Sequence, residues 1–257
     1  MLNPPPEHFY KYRSLSGEGL GFSEDIFAKN RLFWPSPRVF NDPFDCAPVP
    51  EFPQSKAARR QYAKGLVDRT GHDVSKLQRK ATLKLMLADD LASIQSNASK
   101  IVHDRLADVG VCSFSEVPDD ILMWSHYADS HRGICLRFTP TRFDWSHFLP
   151  HEVRYSRHRP TLMMSNQDME AWARAALLTK AEQWAYEKEW RTFNIDGPGL
   201  HEFRPSMFDG VILGARIGDA DRQSVTKWLE NRQYSAAMRI YQAVFDDHDF
   251  ALRLELR

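Results

Sequence analysis

Glu187, Glu189 and Arg191 alternate with other residues in the segment 186–195, which reads YEKEWRTFNI. The alternation predicts a β-strand on which these three side chains share one face, with neighbouring members about 7 Å apart. Two carboxylates at that distance repel each other, so one is expected to keep its proton in part, while the arginine offsets the charge. Such a carboxylate can accept a sugar hydroxyl or act as a general base, and the alternative is a solvated face of ion pairs with no catalytic role. The aromatic residues predicted on the other face are Tyr186 and Trp190.

Trp124, His126 and Tyr127 belong to the densest group of ring side chains, in the segment 112–138 (CSFSEVPDDILMWSHYADSHRGICLRF). A tryptophan or tyrosine can stack on a planar ligand ring, and a histidine can donate or accept a proton near neutral pH. These residues are therefore predicted to form a pocket wall. The alternative is that Trp124 and Tyr127 pack in the core and that His126 is a solvated helix residue.

The segment 40–45 reads FNDPFD, and its Asn-Asp-Pro order predicts a turn. Asn41, Asp42 and Asp45 carry oxygen atoms that can bind a ligand hydroxyl or a cation, and Phe44 lies beside them in sequence. The alternative is that this cluster only forms hydrogen bonds with its own backbone. No metal is predicted, because no histidine or further carboxylate lies nearby in the sequence.

Two strands and a helix are predicted around the ring residues. Ser113 and Ser115 are expected on a strand that ends before Pro118. The helix that carries the ring residues follows, with Asp119 as its cap. A second strand covers residues 134–138, and its alternation indicates one buried face.

Residues 9–13 read FYKYR and are predicted to form the first strand. Tyr10 and Tyr12 then share one face of that strand. Lys11 and Arg13 share the opposite face. The first strand therefore presents two tyrosines on one side and two cations on the other.

Residues 54–108 differ from the rest of the chain, because they are charged, poor in glycine and helical in their periodicity. Ser75 can cap a long helix over residues 75–103, whose apolar residues recur about every 3.5 positions. The members of this stripe are Leu87, Leu91, Ile94, Ala98 and Ile101. We interpret the segment as a helical insertion packed on the sheet. The alternative is a stripe that binds a partner, which includes a second copy of the chain.

Acidic and basic residues balance, with 34 of each, so the overall charge does not indicate a nucleic-acid or membrane partner. No apolar run approaches the length of a membrane span, and the start shows no secretion signal. Cys46, Cys112 and Cys135 are widely spaced and form no Cys-x-x-Cys pair, which argues against a zinc knuckle or a disulfide framework. A reducing cytoplasm is the expected location.

These elements predict one α+β domain over residues 1–257, with the helical insertion at about 54–108. Its sheet is expected to be mixed and largely antiparallel, either single or split. The last two strands, at 239–245 and 250–256, are expected to pair with each other across a turn.

Five segments taken together resemble the bacterial family called domain of unknown function 2971. They are YKYR at 10–13, LFWPSPRVFNDPFD at 32–45, SFSEVPDDILMWSHYADSHRGICLRF at 113–138, LLTKAEQWAYEKEWR at 177–191 and RIYQAVFD at 239–246. The resemblance extends over nearly the whole chain, and residues 54–108 match least. It implies a fold more than an activity, since the family name records none.

The chain also has a more distant resemblance to ADP-ribosyltransferases. These enzymes use an arginine, histidine or tyrosine on an early strand, a hydroxyl or tyrosine on a second strand, and a glutamate on a later one. The candidates that occur here in this order are Tyr10, Tyr12 or Arg13, then Ser113, Ser115 or Tyr127, and then Glu187 or Glu189. The resemblance implies NAD as a substrate, bound in a cleft with aromatic residues around the nicotinamide. The glutamate would hold a ribose hydroxyl and stabilise developing positive charge.

We therefore expect a nucleotide- or NAD-using transferase, as a toxin-like effector or a protein that acts in conflict with phage. Its site would combine the first strand, the FNDPFD turn, the ring-bearing helix and the EKEWR strand. The catalytic candidates are Glu187, Glu189, Tyr127 and His126. The binding candidates are Tyr10, Tyr12, Arg13, Asn41, Asp42, Phe44, Ser113, Ser115, Trp124 and Arg191.

Two other classes of function remain open. A metal-dependent nuclease or phosphoester hydrolase would use Asp42, Asp45, His126 and Glu189, and it needs at least three such groups within reach of one metal ion. A non-catalytic ligand-binding or interaction module would use the helical insertion as its contact surface.

Overall fold

The computed structural model describes residues 4–69, 75–87, 91–140, 149–164, 169–232 and 238–257. Within these ranges helices accompany a mixed, largely antiparallel sheet, which confirms the predicted α+β class. The internal contacts divide the chain into two compact units. Unit 1 comprises Met1–Phe40, Asp108–Tyr155 and Glu182–Arg257, and unit 2 comprises Asn41–Ala107 and Ser156–Ala181.

The described residues form fourteen strands and seven α-helices, together with short 3-10 helices. The strands are β1 Phe9–Arg13, β2 Arg31–Trp34, β3 Val49–Glu51, β4 Gly110–Ser115, β5 Ile134–Phe138, β6 His151–Glu152, β7 Arg154–Ser156, β8 Thr161–Met163, β9 Thr179–Ala181, β10 Glu189–Asn194, β11 Gly199–Glu202, β12 Phe208–Leu213, β13 Arg239–Phe245 and β14 Leu252–Leu256. The α-helices are α1 Glu18–Lys29, α2 Lys56–Arg69, α3 Lys76–Leu87, α4 Leu91–Leu106, α5 Ile121–Tyr127, α6 Met169–Leu177 and α7 Asp219–Glu230. None of these described helices is long and apolar enough to cross a membrane.

The main sheet of unit 1 has eight strands in the order β14-β13-β12-β5-β1-β4-β10-β6. Neighbouring strands are antiparallel except β12 and β13, which are parallel and joined by the crossover helix α7. The expected antiparallel pairing of the last two strands, β13 and β14, is confirmed. β1 lies at the centre of the sheet between β5 and β4, although it comes first in the chain.

The two faces of this sheet differ in chemistry. One face, here called the core face, carries Phe9 and Leu136 and is packed with residues of α1 and α7. The opposite face, here called the tyrosine face, carries Tyr10 and Tyr12 and is partly covered by α5. β5 contributes buried residues to both faces, so the prediction of one buried face for residues 134–138 was wrong. A strand in the middle of a sheet covered on both sides has no solvated face.

Helix α5 begins one residue later than the sequence indicated, with Asp120 rather than Asp119 as its cap. The Asp120 carboxylate accepts hydrogen bonds from the backbone N–H groups of Leu122 and Met123, both at 2.9 Å. An aspartate in this position satisfies donors that have no partner inside the helix. The cap therefore fixes where the ring-bearing helix starts.

In unit 2, α2 and α3 pack against each other, and α4 packs on β3, which pairs in parallel with β8. Ser75 caps α3 as predicted. The Gln78 N–H donates to Ser75 Oγ at 3.2 Å, and the Ser75 N–H donates to Gln78 Oε1 at 2.9 Å, which is a capping box.

The predicted helix over 75–103 is described as two helices, α3 and α4, and residues 88–90 between them lie outside the described residues. Ile94 and Ala98 are buried as the stripe predicted. Ile101 is 62% exposed, so the apolar stripe does not extend to it. The side chains of Leu87 and Leu91 are not among those described.

Candidate functional site

Three adjacent strands of unit 1 bring predicted site residues into one row on the tyrosine face. Tyr10 of β1 pairs with Ser115 of β4, and Ser115 pairs with Glu189 of β10. On the other side of Tyr10 lies Arg137 of β5. Because paired residues of antiparallel strands point to the same face, these four side chains lie side by side across the sheet.

Glu189 and Arg191 form an ion pair inside the protein. Arg191 donates from its guanidinium to both carboxylate oxygens of Glu189, at 2.7 and 3.0 Å. Arg191 is 0% exposed and Glu189 is 4% exposed, and the guanidinium also lies over the ring of Phe40 at 5.6 Å. The alternative of a solvated strand face is therefore wrong. The two charges are compensated by each other in a site of low dielectric constant.

Glu187 does not lie on the strand that the alternation predicted. It ends a 3-10 helix, Glu182–Glu187, and the next residue, Lys188, has a φ of 42° before β10 begins. The side chain of Glu187 is 3% exposed, and the hydroxyl of Tyr127 donates to its Oε1 at 2.6 Å. The predicted spacing of two carboxylates along one strand was thus wrong. The structure places the Tyr127 hydroxyl against a glutamate of this segment.

Ser115 holds the backbone that presents Glu187. Its hydroxyl donates to the carbonyl oxygen of Glu187 at 2.6 Å and accepts from the Val117 N–H at 3.1 Å. Ser113 lies two pairs further along β4, opposite Arg191, and its carbonyl oxygen accepts from Lys11 Nζ at 2.9 Å. The two serines therefore position the strand and the turn after it.

Four ring side chains form a cluster beside Glu187. The ring of His126 lies 6.2 Å from Tyr127, 6.3 Å from Trp184 and 6.5 Å from Tyr186, measured between centroids. His126 is exposed, and the other three are partly exposed. Tyr186 packs with the tyrosine face, whereas Trp190 packs on the core face, so the prediction that these two share a side was wrong.

Trp124 and Tyr12 pack in the interior of the tyrosine face. Trp124 is 0% exposed, and its Nε1 donates to the carbonyl oxygen of Pro118 at 2.9 Å. The ring of Tyr12 meets it edge to face at 5.3 Å, and the Tyr12 hydroxyl donates to the carbonyl oxygen of Val117 at 2.8 Å. These positions agree with the alternative that Trp124 anchors the core. Both side chains hold the 116–120 connection in place.

Tyr12→Phe is expected to reduce the loss of stability in alkaline solution. Burial raises the pKa of Tyr12 above its ordinary value of 10.0, so the proton is held more tightly in the folded than in the unfolded chain. The contribution of the Tyr12 proton to the free energy of unfolding is fully present below pH 10. It is lost as the pH rises above 10, at up to about 1.4 kcal/mol per pH unit. Denaturation of the wild type and of Tyr12→Phe at a series of pH values measures how steeply the free energy of unfolding of each protein falls with pH. Equal slopes above pH 10 for the two proteins would contradict this assignment.

Arg13 lies on the core face and is therefore not part of the row. Its guanidinium lies over the ring of Phe22 at 5.6 Å, and burial lowers its pKa. Its Nε has no hydrogen-bond partner among the described residues. The sequence placed Arg13 opposite Tyr10 and Tyr12, and the structure confirms that placement.

The residues of the FNDPFD turn after Phe40 belong to unit 2. Asp42 Oδ1 accepts from the Phe44 N–H at 2.8 Å, as the alternative for this turn predicted. The carboxylate of Asp45 lies 3.8 Å from Lys180 Nζ, and both side chains are buried. Arg159 lies over the ring of Phe44 at 6.0 Å, and Asn41 is exposed. Within unit 2 these contacts give the turn a structural role.

The sequence did not indicate Arg137, Asp209 and Tyr241, which extend the polar row on the tyrosine face. Arg137 is 5% exposed, and it donates to both carboxylate oxygens of Asp209 at 2.9 Å and to the Tyr241 hydroxyl at 3.2 Å. Burial raises the pKa of the neighbouring Tyr10, and Arg137 opposes that change. One sequence feature could have indicated this part of the row. Arg137 stands between two apolar residues, Leu136 and Phe138, in a segment that is predicted to be a strand.

No three His, Cys, Asp or Glu side chains of the described ranges come together in a way that could hold a metal ion. A pocket of about 460 Å³ lies elsewhere in unit 1 and contains none of the predicted site residues. It is lined by the start of α5, by His131 and by the turn between β13 and β14. The carboxylate of Asp246 in that turn accepts from the N–H groups of His248 and Asp249, and these bonds lower its pKa.

Residues 123–192 match the model of a family described as a protein of unknown function (DUF2971). No curated protein and no solved structure matches the chain. The family match supports the resemblance to that family over this segment, which includes Tyr127, Glu187, Glu189 and Arg191. The resemblance to ADP-ribosyltransferases is not supported by these comparisons.

Proposed function

We propose that this chain is a transferase that uses NAD or a closely related nucleotide, with its active site on the tyrosine face of unit 1. The observation that carries the proposal is the row formed by Tyr10, Ser115 and Glu189 on three adjacent strands. The phenol of Tyr10 can contact the polar groups of a nucleotide, while Ser115 and the pair Glu189–Arg191 hold in place the turn and the strand next to it. The second carboxylate, Glu187, lies at the end of this row and beside ring side chains.

In the proposed reaction, the bond between the ribose and the nicotinamide breaks, and the nicotinamide leaves with the bonding electron pair. The ribose carbon then carries developing positive charge, which a fixed carboxylate in a water-poor site stabilises. A nucleophilic group of an acceptor forms the new bond at that carbon and releases a proton. The chain must therefore supply a negative charge near the ribose and exclude competing water.

We assign this charge to Glu187 and a positioning role to Glu189. Both oxygens of Glu189 are held by Arg191, so this carboxylate has limited capacity to bind a ribose hydroxyl. Glu187 accepts from the hydroxyl of Tyr127, which is itself partly exposed. A ribose hydroxyl can approach Glu187 from the side of Tyr127, and the pair Glu189–Arg191 keeps the start of β10 in place.

The ring cluster of His126, Tyr127, Trp184 and Tyr186 provides the surface for a planar base. Aromatic side chains favour stacked or edge-to-face contacts with ring systems, and these four lie next to the proposed ribose site. His126 is the exposed member and can accept the proton that the acceptor releases.

Calorimetry of NAD binding, with and without magnesium, tests the proposal. The wild type and Glu182→Gln should bind NAD equally, because Glu182 is an exposed carboxylate on the same 3-10 helix as Glu187. Glu187→Gln should bind about ten- to a hundredfold more weakly, because a neutral amide oxygen accepts the hydrogen bond of a ribose hydroxyl more weakly than a carboxylate does.

Two results would count against the transferase. One is the absence of binding heat with NAD under either condition. The other is binding that needs magnesium and is unchanged in Glu187→Gln, which would favour the metal-dependent hydrolase instead.

A further inference from the structure

The positive charge of unit 2 is concentrated on two neighbouring helices. α2 contains five Lys or Arg residues and one Asp, and α3 contains four Lys or Arg residues and no acidic residue. In the whole chain the two signs are equal, at 34 each. The balanced total therefore conceals a strongly basic pair of helices that pack against each other.

Among the side chains that the structure describes, six exposed cations of this pair stand in two lines. On each helix the members recur at every fourth position, so they share a face and follow one another about 6 Å apart along the axis. The line on α2 consists of Lys56, Arg60 and Lys64, and the line on α3 consists of Lys76, Lys80 and Lys84. Arg59 is buried and does not belong to either line.

This arrangement opposes the stability of the helices themselves. Like charges four residues apart destabilise a helix, whereas a solvated helix face ordinarily mixes the two signs. Both helices also begin with a lysine and have no acidic residue in the first turn, where the helix dipole favours negative charge. A polyanion bound along these lines would offset the repulsion between the cations. It would also bring negative charge to the first turn of each helix, where the helix dipole favours it.

We propose that α2 and α3 form a binding surface for the phosphate backbone of a nucleic acid. Evenly spaced lysine and arginine side chains neutralise successive phosphates without regard to sequence. A membrane surface is disfavoured, because the exposed residues between the cations include Ala57, Gln61 and Gln78 and do not form an apolar face. Leu77 is the large apolar residue that α3 exposes among its described side chains. The inference does not depend on the transferase proposal.

The surface also bears on the predicted contact between two copies through residues 75–103. A symmetric dimer brings the same patch of both copies together. If that patch included the line on α3, it would place three lysines against three lysines, and their repulsion disfavours such a contact.

Fluorescence anisotropy with labelled duplex DNA, single-stranded DNA and single-stranded RNA of equal length tests the surface. The full chain should bind at least one of them at low salt. The logarithm of the binding constant should fall with the logarithm of salt concentration, between about 50 and 200 mM, with a slope of about −5 for six phosphate contacts on a duplex. The triple variant Lys76→Gln, Lys80→Gln, Lys84→Gln should bind on the order of tenfold or more weakly and show about half the slope.

A matched control removes the same amount of charge elsewhere. Lys100→Gln, Lys227→Gln, Arg239→Gln neutralises three exposed cations outside α2 and α3 and should leave binding within about twofold of the wild type. Circular dichroism should show unchanged helix content in both triple variants. Equal weakening by the two variants, absence of binding to all three nucleic acids, or binding only to vesicles of anionic lipid would overturn the proposal.

Discussion

Glu189→Gln is expected to lower the free energy of unfolding by about 3–5 kcal/mol. Arg191 is 0% exposed, and both of its contacts with Glu189 are within hydrogen-bond distance. Glutamine keeps the size of the side chain but not its charge, so the substitution removes the negative charge that both guanidinium contacts reach inside the protein. Urea denaturation followed by circular dichroism measures the change through the midpoint and the slope of the transition.

A surface pair of the same geometry provides the control for burial. Arg132 donates to both carboxylate oxygens of Asp129, at 3.1 and 2.8 Å, but these side chains are 50% and 32% exposed. Water screens that pair, and Asp129→Asn should therefore cost less than about 1 kcal/mol. The double variant Glu189→Leu, Arg191→Met should be more stable than Glu189→Gln, because it removes the buried charge. Equal costs for Glu189→Gln and Asp129→Asn would show that burial is not the cause.

Glu187→Gln is expected to reduce the rate of nicotinamide release by about 10²–10³-fold, with little change in stability. The glutamine can still accept the hydrogen bond that Tyr127 donates to Glu187 at 2.6 Å. In the proposed reaction, glutamine cannot supply the negative charge that we assign to Glu187 near the ribose. Single-turnover measurement of nicotinamide release from NAD separates this effect from product release.

Two further variants distinguish chemistry from folding. Glu182→Gln changes a neighbouring exposed carboxylate and should keep the wild-type rate. Tyr127→Phe should release nicotinamide more slowly than the wild type, but faster than Glu187→Gln, since it removes a positioning contact and leaves the charge. The folding transition of Glu187→Gln should match that of the wild type. A wild-type rate of nicotinamide release in Glu187→Gln would refute the role of this carboxylate.

Periodicity was sufficient to identify some segments as strands. The first strand, Phe9–Arg13, and the last pairing, β13 with β14, follow directly from such alternation. Periodicity did not predict that β5 is buried on both faces, because large and smaller side chains alternate along this strand. Whether a strand has one or two covered faces depends on which elements pack on it, and those are distant in sequence.

The position of Glu187 was missed because its local sequence imitates a strand. YEKEWR alternates as a strand does, but Lys188 takes a positive φ that separates the 3-10 helix from β10. Non-glycine residues in this region carry no distinctive sequence mark. The strand order that brings Tyr10, Ser115 and Glu189 into one row does not follow from periodicity, because it is set by packing between residues that are distant in sequence.

The basic surface shows a different limit of sequence reasoning. An average over the whole chain gave no net charge, and that average concealed α2 and α3. The spacing of Lys76, Lys80 and Lys84 is visible in the sequence. It becomes a line of exposed charge only once the residues are known to be helical and exposed.

The central position of β1 has a consequence for synthesis on the ribosome. Lys11 contacts Ser113, which lies 102 positions later, and both neighbours of β1 come from residues beyond 109. At about 5–20 residues per second, β1 waits on the order of ten seconds before its partners exist. During that time its edges and the rings of Phe9 and Tyr12 are exposed to other chains. Folding of unit 1 is therefore expected to be slow and to gain from a chaperone that covers the nascent strand.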